Sequence, residues 1–230
     1  MASADAIADS YWADIFEVEN AELWPDGVHP TFVNSGWDGI YLMRVDRSVR
    51  LRVPMQARDA VEALVRNVSV DTVMSPSLWS LGLAELRPTV MGPASHFLAD
   101  ALLVERGHVV VLDSDQVSSF VAELPSAEVE ESGISEERAA PIGVFLEGQL
   151  AAVASLGEWA GEKSDVGVIT HPRFRERGLG RIVATAAINQ AVSRGGFARW
   201  RSREDNRGSI RLAQRLGLTY YGTNLGVRLG

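Results

Sequence analysis

The 230-residue chain contains no cysteine. Disulfides, thiolate metal sites and a thiol nucleophile are therefore excluded. No apolar run approaches the ~18–20 residues that a membrane helix requires, so no membrane partner is expected. The first residues, Met1-Ala2-Ser3-Ala4-Asp5, carry an acid where a secretory leader would place basic residues before an apolar stretch. A cytoplasmic location is the expectation. Lysine is almost missing: Lys163 is the one lysine, and every other basic residue is arginine. That bias carries no functional meaning. Internal repeats and segments of low complexity are also lacking.

What is present is ordinary for a globular protein, with 46% apolar and 23% charged residues. At roughly 100–200 residues per domain, the length suits one large domain or two small ones. The net charge of −8 argues against general nucleic-acid binding. It is unevenly spread. Between Ser164 and Gly217, eleven arginines face Asp165, Glu176, Glu204 and Asp205, a surplus of +7 that leaves −15 elsewhere. A basic segment in an acidic chain points to a local anionic ligand, and the alternative is a solvated helix face.

Residues 4–19 place Ile7, Tyr11, Ile15 and Phe16 near helical spacing. Residues 20–38, with Pro25, Gly27, Pro30 and Gly36, read as loop. Period-two alternation over 40–45 and 49–53 around Asp46-Arg47-Ser48 predicts a hairpin. A helix is expected over 56–67, then an irregular stretch over 72–106 with one or two short strands. From Gly107 the pattern sharpens. His108–Leu112 reads as a strand, and a helix capped by Asp113 or Ser114 ends at Pro125. The strands 141–146 and 149–155 flank Glu147-Gly148, a turn suited to positive φ. A strand over 166–170, a helix from about Gly178 to Ser193, a strand over 197–200, a helix after Asn206 and two last strands complete the chain. This order predicts an α+β fold: a mixed, mostly antiparallel central sheet flanked by helices, with an additional N-terminal α/β region.

The chemistry sits in Arg175-Glu176-Arg177-Gly178-Leu179-Gly180-Arg181, between a strand and a helix. Two glycines let a ligand approach the backbone and permit positive φ. The free N–H groups of the first helical turn then point outward with the positive end of the helix dipole behind them. A phosphate group suits such a place, and several amides with nearby arginines could hold a diphosphate. The P-loop pattern fails, because Gly-Leu-Gly is followed by Arg181 instead of Lys-Ser/Thr. The dinucleotide fingerprint fails too, because no acid follows in the right context. A purely structural turn is the remaining alternative.

Val168-Ile169-Thr170-His171-Pro172 followed by Arg175-x-x-Gly178-x-Gly180 resembles the signature of the GNAT acyl-CoA-dependent N-acyltransferases. Asn206-x-x-Ser209-x-x-Leu212 with Gly217-Leu218 resembles their second motif, with Leu218 where phenylalanine is usual. The resemblance covers residues 107–230. Residues 1–106 stand outside it, as a degenerate half-copy of the fold or a lid. It implies acetyl-CoA as the acyl donor and no metal; the acceptor could be a primary amine of a small molecule, an amino acid or a protein amine, and the small molecule is the favoured reading. Main-chain groups of Val168 and Thr170 would pair with the pantetheine arm, and an amide near Ile169–Thr170 would stabilise the oxyanion. Amides from Arg175 through Arg181 would hold the diphosphate. Asn206 would cap its helix and touch the CoA arm; Asn206, Thr170 and Ser209 each also have a plain structural reading.

Two departures stand out. Ala213 occupies the position where many members carry an acidic tyrosine, and the region of their usual glutamate base falls near Arg201, which cannot accept a proton. Freeing an alkyl ammonium of pKa ~10.4 at pH 7 costs about 4.6 kcal/mol, so a base is wanted. Glu158 is the candidate, acting through water. His171 is a weaker candidate, and Tyr220 and Tyr221 could reach the thiolate. Glu128, Glu130, Glu131, Glu136 and Glu137 could attract a cationic amine. With no cysteine, transfer would run by direct attack in a ternary complex. Two other readings stay open: an acyl-CoA sensor without turnover, and a nucleotide-binding protein using the same loop for ATP. An exposed sheet edge could pair two subunits into a homodimer.

Overall fold

The computed structural model describes residues 2–34, 37, 39–105, 107–135 and 138–230. Glu136, Glu137 and Gly36 lie outside the described residues. In chain order the elements begin with α1 (Ala4–Phe16), β1 (Gly27–Val33), β2 (Gly39–Val45) and β3 (Ser48–Pro54). They continue through α2 (Arg58–Val65), α3 (Val70–Val73), α4 (Pro76–Gly82) and β4 (Thr89–Ala99). Then come β5 (Val110–Val111), α5 (Ser114–Ala122), α6 (Ser126–Ser132), β6 (Ala139–Leu146), β7 (Gln149–Trp159) and β8 (Glu162–Thr170). The chain closes with α7 (Leu179–Gly195), β9 (Ala198–Arg203), α8 (Arg207–Leu216) and β10 (Thr219–Arg228).

Contacts gather these into two compact units. A C-terminal unit comprises Met1–Ala4, Phe97–Ser202 and Arg207–Thr219. An N-terminal unit comprises Asp5–His96, Arg203–Asn206 and Tyr220–Gly230. The division therefore does not fall between 106 and 107. The last strand pairs with β2, Leu225 opposite Leu42, so the chain's end returns to the N-terminal unit. A linear reading has no signal for that return.

The N-terminal unit carries the strand order β1-β3-β2-β10-β4. The β2–β3 hairpin turns at Asp46, which takes a positive φ of 50°. The segment read as loop over 20–38 contains β1, parallel to β3 with Pro30 opposite Leu51. Its proline is tolerated because β1 is an edge strand and need not donate every ladder bond. The two strands expected at the tail are one. Gly222 lies inside β10, where a Cβ would come within 2.3 Å of the Arg44 carbonyl on β2. Trp79, Leu42, Leu51, Val53 and Leu225 form the buried core.

In this unit the Asp9 carboxylate accepts hydrogen bonds from the Tyr221 hydroxyl at 2.7 Å and from Trp24 Nε1 at 2.9 Å. Burial, then the bond to Asp9, pushes the ionisation of Tyr221 far above that of a free tyrosine. Below about pH 10 the group is neutral in both folded and unfolded chains. Above it, the unfolded chain releases a proton that the folded chain keeps, so stability falls as pH rises, by about 1.4 kcal/mol per pH unit from this group. Tyr221→Phe is expected to cost about 1–3 kcal/mol at neutral pH and to flatten the alkaline limb in urea melts taken at several pH values. An equally steep limb in the variant would assign it to other groups.

The C-terminal unit carries the order β9-β8-β7-β6-β5. Its pairs are antiparallel except β8–β9, which is parallel. The β6–β7 hairpin turns at Glu147 and Gly148, with φ of 55° and 77°, as their sequence predicts. Asp113 and Gln116 close a capping box at the start of α5. The expected strand over 108–112 is short, with Val110 and Val111 as β5. Glu128, Glu130 and Glu131 of the acidic stretch lie in α6. The two faces of the sheet are covered by different helices. Ala152, Ala154 and Val166 pack with α7 residues Val183, Ala187 and Ile188, whereas Val153 and Ile169 pack with Val117, Phe120 and Ile134. The alternation follows from the period of two along each strand.

Candidate functional site

The site begins with the direction of the β8 main chain. The His171 N–H donates to the Ala151 carbonyl at 2.9 Å, and Thr170 stands opposite Ala152. In an antiparallel pair only alternate residues exchange bonds. His171, Ile169 and Gly167 therefore spend their main-chain groups on β7, and Thr170, Val168 and Val166 point theirs the other way. On that other side the register with β9 is Asp165 opposite Arg199. Among the described residues the ladder does not continue from there to Thr170. The end of β8 is an open edge, and its outward groups belong to Val168 and Thr170. Ile169, expected beside them, is buried and faces β7 with its amide.

The turn after β8 is a single 3-10 turn, Pro172–Phe174, whose Phe174 is buried. The chain then passes through two left-handed residues, Glu176 with φ 64° and Gly178 with φ 78°. Gly178 is the residue before α7 and has no capping side chain. Leu179 is buried under the helix, so the loop is anchored from below. A Cβ on Gly180 would stand 3.0 Å from Thr170 Oγ1. Gly180 is thus what lets the first turn of α7 sit against the end of β8. The first N–H groups of a helix have no intrahelical acceptor. Here they are presented beside an open strand edge.

The arginines divide into distinct roles. Arg175 donates through Nε to the Thr170 carbonyl at 3.3 Å and pairs with Glu128. Arg177 pairs with Glu147 at 3.3 Å, and Arg173 donates to Gln149 at 3.1 Å. Arg181 has a buried Nε with no hydrogen-bond partner among the described residues, an orphan donor in the first turn of α7. Outward amides, a side-chain-free approach at Gly178 and Gly180, and this donor fit an anionic diphosphate with an extended arm. Glu128, read as a lure for a cationic acceptor, is instead committed to the loop's own Arg175.

Other expected residues are placed elsewhere. Glu158 is exposed and pairs with Lys163 at 3.1 Å. It stands six residues along β7 from Ala152, the partner of Thr170, or roughly 20 Å at ~3.3 Å per residue. The structure does not bring it to the loop. Ser209 Oγ accepts a hydrogen bond from Trp200 Nε1 at 2.9 Å, a packing role that ties α8 to β9. Asn206 immediately precedes α8, and its N–H donates to the Arg203 carbonyl at 3.0 Å. Tyr220 bonds to Thr223 at 2.7 Å and Tyr221 to Asp9. Ala213 is fully buried in the core. Sequence reading missed Arg138, whose guanidinium occupies the space that a Cβ on Gly157 would need; a Cβ on Gly167 would meet the Ser132 carbonyl. Glycines inside strands were the available signal.

Comparison with known proteins agrees with this geometry. The profile of the GNAT acetyltransferase family matches residues 138–223, which hold the open edge, the loop, α7 and the second motif. Over these residues the chain is similar to the GNAT acetyltransferase family. Among solved structures, a candidate GNAT-family acetyltransferase from Novosphingobium aromaticivorans shares 22% identity at a TM-score of 0.52, over 62% of this chain and 68% of that one. A Drosophila protein of solved structure shares 16% identity at a TM-score of 0.51, over 72% of this chain and 59% of that one. A GNAT-family acetyltransferase from Colwellia psychrerythraea shares 15% identity at a TM-score of 0.47, over 62% of this chain and 57% of that one. The first two share their fold with this chain over the covered residues. The chain spans less than two thirds of the Drosophila and Colwellia chains. No curated protein matches the sequence. The matched segment starts at Arg138, so β5, α5 and α6 lie before it, as do residues 5–96 of the N-terminal unit.

Proposed function

We propose that the protein is an N-acyltransferase that takes an acetyl group from acetyl-CoA and gives it to a primary amine of a small molecule. The observation that carries this reading is the open main-chain edge at Val168 and Thr170 beside the glycine-bearing start of α7. Outward groups of Val168 and Thr170 would hold the pantetheine arm as an added strand. Within Arg175–Arg181, the Arg175 and Arg181 N–H groups donate to the Pro172 and Gly178 carbonyls, so the amides between them and the orphan Nε of Arg181 would hold the diphosphate, with Glu176 and Leu179 shaping the turn. Acetyl-CoA, when bound, supplies an activated thioester acyl group. An outward amide of β8 would then act as the oxyanion donor; by strand parity this is Val168 or Thr170, since Ile169 is spent on β7. Asn206 is proposed to touch the CoA arm.

Thiol release from acetyl-CoA, followed with a panel of amines, tests the reading. Turnover with any small amine supports it. CoA binding without turnover across the panel would favour an acyl-CoA sensor, a reading that Ala213 and Arg201 keep in view. Competition by ATP as strong as by CoA would overturn both.

Glu158 is paired with Lys163 and lies on the strand remote from the open edge. Positioning can remove ~7–11 kcal/mol of a barrier, whereas a general base contributes about 10²–10⁴ in rate. Glu158→Gln is therefore expected to keep turnover within about threefold of the parent at pH 7. A tenfold or larger loss would reinstate the carboxylate as a base through water.

A further inference from the structure

The C-terminal unit contains a cavity of about 420 Å³ on the β7 side of β8. Val168 and Thr170 turn their main-chain groups the opposite way, so this cavity is separate from the donor edge. We propose that it binds an organic ammonium ion carrying a small apolar body.

The walls supply the apolar half of the argument. Phe120 and Phe174 are buried beneath the cavity, Leu150 lies beside them, and Phe145 stands 44% exposed at the mouth. A volume of this size suits a small organic molecule. The rim supplies the charge. Asp115 and Glu123 contribute carboxylates, and no arginine or lysine lines the cavity among the described residues. Two arginines stand close by and are already engaged: Arg173 donates to Gln149 and lies 5.4 Å from the Phe174 ring, and Arg177 pairs with Glu147 and lies 5.7 Å from the same ring. Asp113 also lines the cavity, but its carboxylate caps α5.

His171 fixes the polar direction. Its Nδ1 accepts the Arg173 N–H at 3.2 Å, so in the neutral ring the proton sits on Nε2. That nitrogen is 3.8 Å from the Glu123 carboxylate. The cavity thus pairs the exposed aromatic face of Phe145, which attracts cations, with the Asp115 and Glu123 carboxylates at a rim that no arginine or lysine lines among the described residues. An anion such as a phosphate would have to approach those carboxylates. A neutral apolar molecule would leave the rim unused.

A ligand-detected NMR titration with 2-phenylethylammonium, against its neutral analogue 2-phenylethanol, tests the proposal on the full chain. The ammonium is expected to bind about tenfold more tightly than the alcohol, and Glu123→Gln and Phe145→Ala are each expected to weaken it about three- to tenfold. Both side chains are exposed at the rim, so neither change threatens the fold. CoA affinity, measured on the same samples, is expected to stay unchanged. Absence of binding at roughly 10 mM ammonium, equal affinity for the alcohol, or indifference to both substitutions would overturn the proposal. Because the readout needs no CoA, a protein that failed to bind CoA would sink the acyltransfer reading and leave this one intact.

Discussion

Gly180→Val is expected to lower CoA affinity at least about a hundredfold, measured by calorimetric titration. The residue lies in the first turn of α7, where a Cβ would meet Thr170 Oγ1 at 3.0 Å. A bulkier branched side chain must push the helix start away from the end of β8. The outward amides of the loop and the outward groups of β8 then no longer aim at one ligand. Hydrogen bonds to a charged group are worth about 1.5–3 kcal/mol each. Losing two of them is worth about 3–6 kcal/mol, which is a hundredfold or more in affinity. Gly180→Ala, whose single methyl asks Thr170 to give by a few tenths of an ångström, is expected to lie between the parent and the valine variant. Circular dichroism and melting temperature separate this from unfolding. An affinity within threefold of the parent in a folded Gly180→Val protein would show that the start of α7 does not hold the ligand.

The same glycine illustrates what a sequence can disclose. Gly178 and Gly180 announce a backbone that something approaches, because their spacing between a strand and a helix has few other uses. Glu147-Gly148 is equally plain, since a two-residue loop with both residues at positive φ is nearly confined to hairpins. The C-terminal unit was therefore legible almost element by element. Illegible features depend on partners far away in the chain. Gly222 reads as an interruption until the Arg44 carbonyl is seen against it. Pro30 reads as a loop until β1 proves to be at the sheet edge. Glu128 reads as a free acid on a solvated helix until Arg175, 47 residues later, takes it. Ser209 reads as a motif residue until Trp200 donates to it. Local pattern determines conformation well, but which charge meets which is settled by the packing of whole elements.

That limit is sharpest at the root of the open edge, where Asp165→Ala is expected to destabilise the protein by about 3–5 kcal/mol. Asp165 accepts from Arg199 at 2.7 Å and from Arg138 at 3.3 Å. The three side chains are 22%, 8% and 15% exposed, respectively. Arg199 also lies 5.0 Å from the Trp159 ring, and Arg138 fills the space over Gly157. Removing the carboxylate would leave two largely desolvated guanidinium groups facing each other with nothing between them. For a chain of this length each kcal/mol moves the melting temperature by about 2–4 °C, so a fall of roughly 6–20 °C is expected. Asp165→Asn, which keeps an acceptor oxygen and the shape, should fall less than the alanine variant. The effect reaches the site as well. Asp165 opposite Arg199 is where β8 and β9 are joined, and beyond that point Val168 and Thr170 are free to pair with something else. Loosening the junction lets the two strands move independently, so CoA affinity should drop along with the melting temperature. A melting temperature within about 2 °C of the parent would mean that water, not Asp165, neutralises the two arginines.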